Sequence, residues 1–123
     1  MTALWIGVAG FAGAVTRYGL DRFVSARVSG SFPWGILLVN VAGSFLLGLI
    51  VALTAERIAV APQVRLALTV GFLGAFTTFS TFAYDSMSLA EEGALGMAAL
   101  NIVASVAAAL VAVVAGTALG RAL

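Results

Sequence analysis

The sequence contains no cysteine, no histidine and no lysine among its 123 residues, and only 9% of its residues are charged. Without cysteine there is no disulfide framework, no thiolate metal site and no cysteine nucleophile. Without histidine, the commonest metal ligand and the usual proton carrier at neutral pH are both missing. Six arginines and a net charge of +1 provide no basic patch for nucleic acid, so a nucleic-acid partner is excluded.

What is present is largely apolar. Hydrophobic residues make up 63% of the chain, and the mean hydropathy is +1.16. A soluble domain carries about 25% charged residues, so this chain cannot cover a globule with polar surface. The composition excludes an ordinary soluble enzyme and a disordered protein, and it predicts an integral membrane protein embedded in a lipid bilayer.

Four apolar stretches are each long enough to cross a bilayer as a helix, which takes roughly 20 residues. They run from about residue 2 to 20, 34 to 53, 66 to 84 and 95 to 119. The connections between them are too short to fold separately. Residues 1–123 are therefore predicted to form a single all-α membrane domain with four transmembrane helices.

The arginines give almost no signal for orientation in the membrane. Four spans place both termini on one side, and cytoplasmic loops normally carry an excess of positive residues. The side of the termini has Arg57, Arg65 and Arg121, and the other side has Arg22, Arg27 and, at the end of the first span, Arg17. Either too few charges are present to decide, or the chain inserts both ways and assembles as an antiparallel pair.

Small residues recur at helical spacing in two of the predicted spans. Gly7, Gly10 and Gly13 follow at three-residue steps in the first, and Gly116 and Gly120 are four apart in the fourth. Small residues on one face let helix backbones approach closely in lipid. These glycines therefore predict tight helix packing.

The least ordinary segment is residues 71–82, Gly-Phe-Leu-Gly-Ala-Phe-Thr-Thr-Phe-Ser-Thr-Phe, in the middle of the third span. Glycine, serine and threonine are poor or middling helix formers. The residue types alone favour a continuous helix whose hydroxyl groups bond the preceding turn. The alternative is a break at membrane depth, where a small cation would satisfy the freed carbonyl groups.

Two aromatic residues and an arginine have both structural and functional interpretations. Phe79 and Phe82 stand three apart, either as lipid-facing or core residues or with their positive ring edges towards an anion. Arg17, near the end of the first span, either reaches the interface or raises the anion concentration in a wet vestibule.

Two asparagine–serine pairs repeat the same spacing in different spans. Asn40 precedes Ser44 by four residues in the second span, and Asn101 precedes Ser105 by four in the fourth. Each pair can hold helices together or line a polar track, and their recurrence in so apolar a chain favours the track. All carboxylates are predicted to lie outside the spans. No catalytic constellation is found, so no enzyme activity is predicted.

Three segments stand out in combination: residues 10–18 (Gly-Phe-Ala-Gly-Ala-Val-Thr-Arg-Tyr), residues 39–45 (Val-Asn-Val-Ala-Gly-Ser-Phe) and residues 71–82. Together they resemble the signatures of the Fluc fluoride channels, also called the CrcB family, and the third segment is the most specific. The resemblance covers nearly the whole chain. It implies an antiparallel, dual-topology homodimer with two anion pathways and a third helix broken at mid-membrane.

The resemblance also implies a role for single residues. In the family, a box of phenylalanines, a pore amide and further polar groups form the anion pathway, and an arginine lies in the vestibule. By position, the pathway residues are Phe79, Phe82, Asn40, Ser80, Thr81, Asn101 and Ser105. The vestibule arginine is Arg17. Some relatives have tyrosine in place of Asn101, so the resemblance does not fix the anion route along the fourth helix.

A structural sodium ion is a further implication of the resemblance. The backbone carbonyls of Gly74 and Thr77, from both subunits, would hold it at the dimer centre. A central cation would lower the barrier to a nearby anion and tie the two subunits together.

The implied function is passive, fluoride-selective export across the plasma membrane, which relieves fluoride toxicity. Hydrogen fluoride enters from acidic surroundings, ionises in the neutral cytoplasm and is trapped there. Two alternatives are a proton-coupled exporter of the small multidrug-resistance type and a non-transporting membrane scaffold. The first needs a membrane-embedded Glu that the first span lacks, and the second gives no reason for residues 71–82.

Overall fold

The computed structural model describes residues 1–123, and all of its regular elements are helical. The three long uninterrupted helices are α1 (Thr2–Ser25), α2 (Trp34–Glu56) and α6 (Leu95–Ala122). Between α2 and α6 lies an interrupted helix composed of α3 (Pro62–Leu66), a π-helix (Ala67–Leu73), α4 (Gly74–Phe76) and α5 (Phe79–Glu91). Proline stands where two of the helices begin: Pro33 directly precedes α2, and Pro62 opens α3, where its missing N–H costs nothing.

Three helical stretches are long and apolar enough to cross a membrane. They are Trp34–Glu56, Pro62–Glu91 and Leu95–Ala122. The first predicted span, residues 2–20, lies within α1, which is not one of the three, so its crossing of the membrane stays a prediction.

The third predicted span lies in a helical stretch that extends further than the sequence predicts. It is predicted to end at Tyr84, but α5 continues to Glu91. Asp85 therefore lies inside a helix rather than in the predicted connection, and its position outside the membrane stays a prediction. Asp85 is only about 9 Å along the helix axis from Glu91, close enough to the end for its carboxylate to reach the polar interface.

A glycine terminates α5 and turns the chain into α6. Gly93 has φ of +84°, a conformation that side-chain-bearing residues rarely adopt. Its N–H donates to the carbonyl of Ala90 at 3.1 Å, and the N–H of Ala94 donates to Leu89 at 2.9 Å. This pair of bonds is a Schellman motif, which satisfies carbonyls at the end of the helix and allows α6 to begin two residues later.

Glycines bring α2 and α6 into direct backbone contact, as the spacing of Gly116 and Gly120 predicts. A Cβ at Gly116 would meet the carbonyl oxygen of Phe45, and one at Gly120 would meet Leu49 O at 2.9 Å. From the other side, a Cβ at Gly48 would meet the backbone of α6. Close approach of this kind increases van der Waals packing, which is a main source of helix association in lipid.

The helix α1 packs on the π-helix through only part of its glycine series. A Cβ at Gly13 would meet the carbonyl of Phe72, whereas Gly10 makes only ordinary contact and Gly7 has nothing within 4 Å. Gly7 therefore takes no part in packing within the single chain, and its predicted packing role stays a prediction. Each three-residue step turns the helix by about 300°, so the series drifts around the helix and leaves the contact face.

The buried core of the chain is small and lies beside the interruption in the helix. Val39, Leu73 and Phe76 form its central cluster, between α2 and the segment that ends at the interruption. Only 19 of the 123 residues are buried. Most of the apolar surface must therefore be covered by lipid or by another protein.

Candidate functional site

The interrupted helix loses its helical backbone at Thr77 and Thr78. Their φ and ψ angles are −85° and 159°, and −150° and 121°, which are extended conformations. The residue types alone favour a continuous helix here. In a continuous helix, the N–H of Thr78 would donate to the Gly74 carbonyl and that of Thr81 to the Thr77 carbonyl. Neither bond forms, because both N–H groups have other partners.

Asn40 of α2 takes both backbone groups of Thr78. Its Oδ1 accepts the Thr78 N–H at 2.8 Å, and its Nδ2 donates to the Thr78 carbonyl at 3.0 Å. The side chain thus pairs with an extended residue much as a neighbouring strand would. Because both ends of the amide are engaged, its orientation is fixed and only one N–H remains free.

The hydroxyl group of Thr78 begins the helix that follows. Thr78 Oγ1 accepts the N–H of Thr81 at 3.2 Å and donates to Thr81 Oγ1 at 3.1 Å. The first bond is an N-cap, which satisfies one of the N–H groups that the start of a helix leaves without a partner. Ser80 Oγ lies 3.4 Å from the same Thr78 oxygen. The predicted pathway residues Ser80 and Thr81 therefore form one hydroxyl cluster with Thr78.

Arg17 reaches the same interruption from α1. Its Nε donates to the carbonyl of Ala75 at 3.1 Å, in a partly buried position. In a continuous helix this carbonyl would accept the N–H of Phe79. The positive charge of Arg17 is thereby held beside the exposed end of α4, where carbonyl groups make the local potential negative.

A groove of about 290 Å³ opens next to the interruption. It brings together predicted site residues from α2, the interrupted helix and α6, namely Asn40, Gly74, Thr77, Phe79, Phe82 and Ser105. Arg17, Ser80, Thr81 and Asn101 do not line it. The predicted site is therefore assembled in part around one groove, with the other residues behind it or beside it.

The two predicted pathway phenylalanines form a pair with very different exposure. Their ring centroids are 5.6 Å apart, and the ring planes are inclined by 54°. Phe82 is only 8% exposed, whereas Phe79 is 79% exposed on the surface of the single chain. An inclined pair presents at least one ring edge, with its positive hydrogens, to the space beside it.

The fourth-helix residues Asn101 and Ser105 belong to a buried chain of hydrogen bonds. Ser105 Oγ donates to Asn101 Oδ1 at 3.1 Å, Asn101 Nδ2 donates to Ser86 Oγ at 2.9 Å, and Ser86 Oγ donates to the Phe82 carbonyl at 2.9 Å. Asn101 is 1% exposed. The sequence does not point to Ser86, because the third span is predicted to end at Tyr84 and Ser86 falls in the predicted connection.

Comparison with known proteins gives one family. The family model described as "CrcB-like protein, Camphor Resistance (CrcB)" matches residues 4–117. The chain belongs to the CrcB family. A relative from Koribacter versatilis, named fluoride-specific ion channel FluC, is 46% identical over 118 residues, which cover 96% of this chain and 94% of the relative. Relatives of the same name from Agrobacterium fabrum and Geobacter sulfurreducens are 50% and 49% identical, over 94% of this chain and 93% of each relative.

The predicted pathway residues of this CrcB chain fall into two groups, those with an accessible hydrogen-bond donor and those without one. Asn40 keeps one N–H, and Ser80 and Thr81 lie in a hydroxyl cluster whose hydrogens can turn towards a ligand. The hydroxyl group of Ser105 already donates its hydrogen to Asn101, and Asn101 is almost completely buried. Anions need donors rather than acceptors, so the first group is the better suited of the two to meet one.

The carbonyl groups predicted to hold sodium in this CrcB chain are among those left without helical donors. The Thr77 carbonyl accepts no hydrogen bond within the chain, and the Gly74 carbonyl has lost its helical partner Thr78 N–H to Asn40. Hard cations prefer oxygen ligands. The chain has no cluster of acidic side chains able to hold a metal, so backbone oxygens are the donors on offer, and they fit such an ion.

Proposed function

We propose that this chain is a passive, fluoride-selective channel of the plasma membrane that lets cytoplasmic fluoride leave down its gradient. The observation that carries the proposal is the identity of 46–50% to proteins named fluoride-specific ion channels, over nearly the full length of both chains. The donor groups around Thr78 provide independent chemical support. Fluoride holds its water strongly, so a pathway must replace that shell with hydrogen-bond donors that still release the ion.

In this proposal Asn40, Ser80 and Thr81 donate to the anion, and Phe79 and Phe82 present ring edges to it. Neutral donors and ring edges attract an anion more weakly than a full positive charge would, which favours rapid release. Arg17 raises the anion concentration near the entrance, because its Nη groups make no hydrogen bond within the chain while its Nε is anchored. Ser105 lines the groove from α6, and Asn101 behind it holds Ser105 and Ser86 in place.

We further propose that two copies assemble as an antiparallel homodimer and that each copy contributes four transmembrane helices, the third broken at mid-membrane. The exposure of Gly74 and of Phe79, both at the groove, supports a face that a second copy covers. The Gly74 and Thr77 carbonyls of both copies would hold a sodium ion at the centre, where its charge favours a nearby anion. The balanced arginines favour insertion in both orientations.

Flux from liposomes tests the channel proposal. Purified protein in liposomes loaded with fluoride should release it rapidly once an ionophore removes the membrane potential, and liposomes loaded with chloride should release hardly any. Collapsing a proton gradient should leave the fluoride rate unchanged, because the mechanism has no proton coupling. Equal rates for the two halides would reject selectivity, and dependence on the proton gradient would instead favour a coupled exporter.

Reporter fusions to Leu123 test the two orientations. We expect about half of the molecules to show the reporter on each side of the membrane, because three arginines stand against two or three. The matched variant Ala122→Arg adds one positive charge to the side of the termini and should shift the population towards a cytoplasmic C-terminus. A wild-type reporter found on a single side would exclude the antiparallel pair.

A further inference from the structure

We infer that Asn40 is the positioning residue that keeps the Gly74 carbonyl free to bind a cation. This inference rests on the sodium site of the proposed function and assigns to Asn40 a task distinct from donating to the anion. The contact that carries it is the 2.8 Å bond from the Thr78 N–H to Asn40 Oδ1. That N–H is the one that would otherwise close the helix onto Gly74.

The hydrogen bonds on either side locate the point of diversion. One residue earlier, the Thr77 N–H still donates to Leu73 at 3.0 Å, as in a regular helix. The Thr78 N–H is the next along the chain, and it is the first to leave the helical pattern. The diversion therefore begins at the residue that Asn40 holds, which assigns the opening of the helix to this side chain.

The second Asn40 bond reinforces the first, which alone diverts the Thr78 N–H. Nδ2 donates to the Thr78 carbonyl at 3.0 Å, so the amide holds one residue by both its N–H and its C=O. Two parallel hydrogen bonds fix the direction of the Thr78 peptide groups as well as their distance. This geometry keeps Thr78 extended and the Gly74 oxygen without its helical donor.

A glycine one turn along α2 sets the distance at which Asn40 works. A Cβ at Gly43 would meet Thr77 Cγ2, and it would lie 3.2 Å from the Phe76 ring. The absence of a side chain at Gly43 thus lets α2 lie directly against the end of α4. Asn40 lies three residues earlier on the same face, so this close approach brings Thr78 within reach of its short side chain.

Thr78 frees the second carbonyl by its own side chain. Its Oγ1 accepts the Thr81 N–H at 3.2 Å, which would otherwise donate to the Thr77 carbonyl. Asn40 and Thr78 Oγ1 therefore each divert one N–H, and the two oxygens released are those of Gly74 and Thr77. The cation site requires both diversions.

The test is the sodium dependence of thermal unfolding of the purified full-length protein, measured with sodium chloride against equal concentrations of N-methyl-D-glucamine chloride. A cation that binds only the folded state raises the unfolding temperature with its concentration. In the wild type, the unfolding temperature should rise with sodium concentration above an apparent dissociation constant, which we call the sodium midpoint. Asn40→Leu, which removes both bonds and keeps the number of side-chain heavy atoms, should raise that midpoint at least tenfold. Ser44→Ala, one turn further on the same face, should keep the wild-type midpoint.

A second variant makes the test independent of whether Asn40→Leu folds. Asn40→Asp keeps an oxygen to accept the Thr78 N–H, and its charge attracts cations, so its sodium midpoint should equal or fall below that of the wild type. A midpoint raised tenfold in Asn40→Asp would overturn the inference, as would a wild-type midpoint in Asn40→Leu. A wild type that responds equally to both salts would instead remove the proposed sodium site itself.

Discussion

Replacing Gly13 with alanine is expected to destabilise the folded protein by about 2 kcal/mol, although the same change within a helix normally stabilises it by up to about 1 kcal/mol. The new Cβ would meet the carbonyl oxygen of Phe72, with the carbonyl carbon at 2.9 Å and the Cα at 3.1 Å. All three are backbone atoms that cannot rotate away, so α1 must move off the π-helix. Unfolding of the purified protein in detergent measures the effect.

The matched control for this prediction is Gly7→Ala, on the same helix with nothing within 4 Å of the new Cβ. It should leave stability unchanged or raise it. Fluoride flux should fall with stability in Gly13→Ala only, because Arg17 follows Gly13 by one turn and would be drawn away from the Ala75 carbonyl. If Gly13→Ala is as stable as Gly7→Ala, the close approach of α1 to Phe72 is wrong.

Replacing Phe82 with isoleucine is expected to reduce fluoride flux by about fivefold, while the protein remains folded. An aromatic edge contributes roughly 1 kcal/mol beyond its apolar area, and a barrier higher by about 1.4 kcal/mol slows a process tenfold. Isoleucine keeps much of the buried volume at a position that is 8% exposed, so the packing penalty stays small. Flux from liposomes at equal protein content measures the change.

Phe11→Ile is the matched control, because Phe11 is 73% exposed on α1 and does not line the groove. It should leave both flux and oligomeric size unchanged. The two variants should elute at the same size as the wild type on gel filtration, which separates a pathway effect from loss of assembly. Wild-type flux in Phe82→Ile would remove this ring from the anion pathway.

Much of the local structure can be predicted from the sequence because it depends on additive, local properties. The transfer of apolar side chains into lipid depends on composition and length, so the long stretches that lie in α2, in the interrupted helix and in α6 are visible as runs of apolar residues. The positions at which these helices end are harder to predict from the sequence. The stretch through Asp85 remains helical because a carboxylate near a helix end reaches water at little cost.

The candidate site is predictable in its residue types but not in its bonds. Asn40 stands out because an unpaired amide in hydrocarbon is costly. No neighbouring residue, however, indicates that its partner is Thr78, which is 38 positions away. Ser86 gives no signal of its own, because a helical serine usually bonds its preceding turn and this one does so as well. Only the contact with Asn101 sets it apart.

The sequence by itself determined that this is a helical membrane protein with unusual polar residues at 40, 77, 78, 80, 81 and 101, because hydrophobicity and helix propensity act residue by residue. Only the tertiary structure decided that the helix opens at Thr77 and Thr78. The residue types there favour a continuous helix, and the energy that reverses this preference comes from Asn40 and Arg17 on other helices. Partners that are distant in the chain carry no local pattern, so their effect appears only once the helices are packed.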